Sequence, residues 1–68
     1  MIRMKLIPNE GYPEHEGAVW FKCFFKRRGD YNVEITRDFA AAAVFQDEAE
    51  AKRVLGDRYE EFEVEHIS

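Results

Sequence analysis

Apolar and polar residues alternate over Met1–Ile7, where Ile2, Met4 and Leu6 interleave with Arg3 and Lys5. A period of two with one dry face predicts a strand. The stretch from Pro8 to Gly17 holds two prolines, two glycines and the charged run Glu14-His15-Glu16. So little apolar content predicts an exposed loop, long for a small domain and a candidate contact surface.

The pattern then thickens. Ala18-Val19-Trp20-Phe21-Lys22-Cys23-Phe24-Phe25-Lys26 carries large side chains on both faces of a strand and leads through Arg27-Arg28-Gly29-Asp30 into Tyr31-Asn32-Val33-Glu34-Ile35-Thr36-Arg37. Two such runs around a Gly-Asp turn signal predict a β-hairpin. A two-residue turn at Gly29-Asp30 would place Lys22 and Lys26 beside Val33 and Ile35. A loop of three or five residues aligns odd with odd positions and yields one apolar face of Val19, Phe21, Cys23, Phe25, Tyr31, Val33 and Ile35. Continuity of that face favours the odd-length loop, which leaves Trp20, Lys22, Phe24 and Lys26 opposite, beside Asn32, Glu34 and Thr36.

From Asp38 the spacing changes. Asp38 can cap a single helical turn through the alanines that follow. Asp47 with Glu50 three residues on is a capping-box-like start. Ala51, Val54 and Leu55 fall on one stripe, Lys52 and Arg53 suit the C-terminal end of the helix dipole, and Gly56 suits its closing position. This predicts a helix of about two and a half turns, dependent on packing for its stability; one longer helix from Phe39 to Leu55 is the competing reading. Tyr59 to Ile67 alternates Phe62, Val64 and His66 against Glu61, Glu63 and Glu65, a strand with one core face and one acidic face.

Residues 1–68 form one domain, and the order of elements is β-β-β-α-β. The fold class expected is α+β: a mainly antiparallel sheet of about four strands with one short helix packed on its apolar face. Strand order is open. If the chain alternates direction, the last strand runs parallel to the first and third. Phe21, Cys23, Phe25, Val33, Ile35, Val54, Leu55, Phe62 and Val64 are the expected core.

Composition narrows the function classes. At 68 residues with 46% hydrophobic and 15% aromatic content, the chain is too apolar for disorder and short enough that folding buries only about 60% of its unfolded surface. A net charge of −4 is opposite to that of a general duplex-DNA binder. One cysteine excludes an internal disulfide, the start carries no basic-then-apolar leader, and no apolar run approaches the roughly 20 residues that span a bilayer. Cytoplasmic placement without a membrane role is the expectation.

The stretch Arg37 to Ala51 resembles the D-x-x-x-A-x-x-F-x-[DST]-x-x-E-A pattern of many short phage and prophage proteins, in which an aromatic hairpin precedes and an acidic strand follows. Asp38, Ala42, Phe45, Asp47, Glu50 and Ala51 match, and Phe39 stands where a proline is common. The resemblance implies a phage or mobile-element origin and a role in binding and inhibiting host or defence proteins rather than in catalysis.

Two surfaces are candidate partner sites. Trp20 and Phe24 with Lys22, Lys26 and Arg28 form an aromatic-basic group of the kind that stacks bases and neutralises phosphates on single strands, or that anchors a protein interface. The blander reading is that a loop, a terminus or a second subunit covers the rings. Glu61, Glu63 and Glu65 form an acidic stripe that either imitates a run of phosphates or pairs with Arg3, Lys5 or Lys22 across the sheet. Cys23 reads as a core filler, His15 as a loop residue without companion ligands, and His66 as a half-buried, hydrogen-bonded core-face residue. Arg28-Gly29-Asp30 matches an integrin-type tripeptide, but turn geometry explains it. No phosphate loop or nucleophile elbow occurs, and neither metal nor cofactor is expected. The sequence thus points to a non-catalytic binding or inhibitor protein, monomer or homodimer, with a single-stranded nucleic-acid binder as the alternative.

Overall fold

The computed structural model describes residues 1–67. Strands β1 (Ile2–Leu6), β2 (Trp20–Arg27) and β3 (Asp30–Thr36) precede helix α1 (Glu48–Leu55) and strand β4 (Phe62–His66). They form one sheet of order β3-β2-β1-β4 in which every neighbouring pair is antiparallel. The expected α+β class and element order hold. Tyr59–Glu61 belong to a 3-10 stretch, Gly56–Glu61, so β4 starts later than the alternation predicted.

The predicted caps form. The Asp47 carboxylate accepts from the Glu50 amide at 2.9 Å, and that of Asp38 from the Ala40 amide at 3.0 Å, opening a 3-10 turn over Phe39–Ala41. Gly56 closes α1 at φ 55°, in the left-handed region where a side chain is strained. The helix rests on Ala51 and Leu55, one turn apart and both buried. Val54 is one position round and stays 44% exposed, so it leaves the expected core.

The hairpin departs from both registers considered. Its loop is Arg28-Gly29, with φ of 54° and 87°, a tight turn closed by Arg27 opposite Asp30. This is the two-residue class whose backbone twist matches that of the strands. From the tip inward Lys26 faces Tyr31 and Phe24 faces Val33, so even positions of β2 share a face with odd positions of β3. Between Phe21 and Cys23 the register then slips by one: Cys23 pairs with Glu34 but Phe21 with Ile35, leaving Lys22 as the extra residue of a β-bulge. Phe21 and Phe24 therefore face the core together, with ring centroids 5.1 Å apart. Phe25, expected inside, is 41% exposed, and Cys23 is half-exposed on the outer face.

Phe21 is the hub of the core. It stacks on Phe45 at 6.0 Å and meets Phe62 edge-on at 5.9 Å, and Ile2, Met4, Ala51 and Leu55 complete the cluster. Phe45 arrives by an unusual route. Ala43 donates to the Phe21 carbonyl, and Phe45 exchanges two 2.8 Å backbone hydrogen bonds with Ile2. The coil of residues 43–45 thus lies between β1 and β2, which pair directly only around Lys5 and Trp20. This additional traverse reverses the expected direction of the last strand: β4 runs antiparallel to β1, pairing Ile2 with His66 and Leu6 with Phe62.

Candidate functional site

Splitting β1 from β2 leaves the distal half of the hairpin projecting from the body. The longest extent is 36 Å, and the radius of gyration of 11.7 Å exceeds the roughly 11 Å of a compact chain this long. On the outer face of the projection Cys23, Phe25 and Arg27 follow one another. Tyr31, 69% exposed, lies on the inner face with Lys26, whose Nζ is 5.9 Å from its ring centroid. Arg28 occupies the tip and is the one non-glycine residue with positive φ among the described residues. At that position a two-residue turn favours Asn, Asp or Gly, and Arg in their place puts a cation at the tip at a cost in backbone strain.

The proposed aromatic-basic group is therefore divided. Trp20 is on the outer face, where the Phe39 ring meets it edge-on at 5.2 Å and its indole N–H donates to Glu65 Oε1 at 3.0 Å. Arg3 lies 3.7 Å over the other aromatic partner, Phe39. Covering by a loop, weighed above as the blander reading, describes Trp20. Phe24 and Lys26 lie on the inner face, and Phe24 packs against the core. Lys22, in the bulge, approaches Glu34 Oε2 at 3.7 Å. Only Arg28, of the five, reaches the tip.

The acidic stripe is likewise broken. Register sets Glu65 opposite Arg3 and Glu63 opposite Lys5. Glu61, in the 3-10 stretch, faces Arg58 at 3.4 Å instead of extending the strand face. Register thus sets both glutamates across from cations, but among the described residues neither makes an ion pair within 4.0 Å, and Glu65 accepts from the Trp20 indole instead.

Cys23 Sγ donates to Glu34 Oε2 at 3.1 Å. That hydrogen bond, then partial desolvation and the carboxylate's field, push the thiol pKa up, against a smaller opposing effect of Lys22. A thiol held protonated is a poor nucleophile. His66 is exposed on the rim of a shallow groove near Met1, Asp47 and Ala49 rather than half-buried. His15 is exposed, 3.4 Å from Glu16. Among the described residues no three His, Cys, Asp or Glu side chains converge for a metal ion, and no helix is long and apolar enough to cross a membrane.

Phe25 is the residue that sequence reasoning missed. Its signal was the doublet Phe24-Phe25, in which one ring must point outward whichever register the hairpin takes. No protein-family model, curated protein or solved structure matches the chain.

Proposed function

We propose that this is a non-catalytic binding protein of phage or mobile-element origin that works in the cytoplasm by stoichiometric contact with a host protein. The distal hairpin is its contact element. The observation that carries the reading is Phe25, an exposed ring beside Arg27 and Arg28 on a projection whose tip residue suits a partner better than it suits the turn. Four cations, Lys22, Lys26, Arg27 and Arg28, stand against two carboxylates there, and Glu34 already engages Lys22. A net-acidic chain thus ends in a basic, aromatic finger, which fits an apolar pocket with an acidic rim. A single-stranded nucleic acid fits less well, because Phe25 and Tyr31 lie on opposite faces of the ribbon and offer no common platform for successive bases.

The test uses the tagged protein as bait in a bacterial lysate, beside Phe25→Ala and Arg28→Asn. The expected result is one host protein retained in equimolar amount by the wild type and lost by both variants. Arg28→Asn should meanwhile melt higher than the wild type, since relief of left-handed strain is worth about 1 kcal/mol. Tight oligonucleotide binding that weakens steeply with salt and is lost in the same variants would overturn the protein-partner reading in favour of nucleic acid.

A further inference from the structure

The sheet has two free edges, β3 and β4, and they differ in what they can accept. The closing pair of a two-residue hairpin, here Arg27 and Asp30, exchanges both backbone hydrogen bonds, as do every second pair beyond it, Phe25 with Asn32 and Cys23 with Glu34. Tyr31, Val33 and, by continued alternation, Ile35 accordingly turn their N–H and C=O groups to the outer edge. These three also carry the inner-face side chains of β3: Val33 and Ile35 are half-buried against the core, and Tyr31 is exposed. Outward backbone groups and inward apolar side chains coincide on the same residues.

We infer that β3 is the interface of a two-fold homodimer in which Val33 pairs with Val33 of a second copy across an antiparallel ladder. In that register Tyr31 faces Ile35 of the second copy, so the apolar faces of both sheets run on without a step. Asn32 faces Glu34 and Asp30 faces Thr36, so no like charges meet. Only a self-complementary strand satisfies all of these under a two-fold axis. Strand β4 fails the same test. Any antiparallel self-pairing that keeps its faces aligned and overlaps three or more residues of β4 sets Glu63 opposite Glu65 or either glutamate opposite itself, and like charges directly opposite repel. The molecule thus has one edge that repels a copy and one that accepts it, which closes at two chains instead of extending into a fibre.

A ladder this short lies at the small end of specific interfaces, which bury about 1,200–2,000 Å² in total. The dimer is therefore concentration-dependent. Light scattering at about 100 μM should give the mass of two chains, and dilution to the low micromolar range should give one. Two variants test the edge. Tyr31→Lys alters an exposed residue, and a backbone N-methyl group at Val33, placed by chemical synthesis, removes an outward donor without touching the β2–β3 ladder. Both should be monomeric at the higher concentration, with circular dichroism unchanged from the diluted wild type. For register, Asn32→Cys mixed with Glu34→Cys, each on a Cys23→Ser background, should oxidise to a mixed disulfide, whereas neither alone should cross-link. A single-chain mass at about 100 μM, a dimer that survives Tyr31→Lys or the N-methyl group, or a cross-link between like positions would overturn the proposal. No partner protein enters these measurements, and Phe25→Ala leaves the dimer intact, so this interface stands or falls independently of the host contact.

Discussion

Cys23 and Glu34 show how one misplaced residue changes the chemistry of a surface. As a core filler the thiol would have been shielded by burial; on the outer face its hydrogen bond to Glu34 favours the protonated form and lowers its reactivity. Because the folded pKa is raised, the stabilisation is present at neutral pH, below the unfolded thiol value, and is lost as pH rises through the folded value. Alkylation at neutral pH should accordingly be slower in the folded protein than in a free thiol, and Glu34→Gln should speed it. A rate that falls or does not change on removing the carboxylate charge would contradict this account. Reaction with a maleimide dye under pseudo-first-order conditions reads the effect directly.

The bulge at Lys22 is the element that decides which aromatics are structural. Without it Phe21 and Phe24 would sit on opposite faces, and one of the two could not reach the core. Phe21→Ala, at the hub, should cost about 3–5 kcal/mol and unfold a domain of marginal stability. Phe25→Ala, of identical chemistry, should cost less than about 1 kcal/mol. Thermal melts of the pair check the assignment, and equal losses would refute the bulge. Much of the fold was legible from local chemistry: the period-two runs, the Asp38 and Asp47 caps and the Gly56 stop each rest on side chains close to the backbone groups they satisfy. The hairpin register was not, because Trp20 to Phe25 offers a large apolar residue to either face and alternation cannot choose between two parities or detect a switch from one to the other. The candidate site inherited that ambiguity. Its strand and its cations were visible, while the exchange of Phe24 for Phe25 depended on a single unpaired residue.

Over the whole molecule, sequence reading failed where the chain does something that no local pattern encodes. Nothing in Ala43-Val44-Phe45 announces that these residues separate two strands, since their hydrogen bonds go to Phe21 and Ile2, far away in sequence. The consequence is an order of assembly. The hairpin closes over a two-residue loop at little entropic expense, whereas β1 gains its full ladder only from β4, whose pairing joins residue 2 to residue 66. In stopped-flow refolding, Ile35→Val in the hairpin should mainly slow folding, while Val64→Ala in β4 should mainly hasten unfolding; the reverse pattern would place the nucleus in the β1–β4 pair. During translation the first of these strands to leave the ribosome is completed by the last. Until residues 62–66 emerge, Ile2, Met4 and Leu6 have only the partial pairing that β2 and Phe45 offer, which leaves one edge of an apolar segment open on the nascent chain, the kind of surface that chaperones bind.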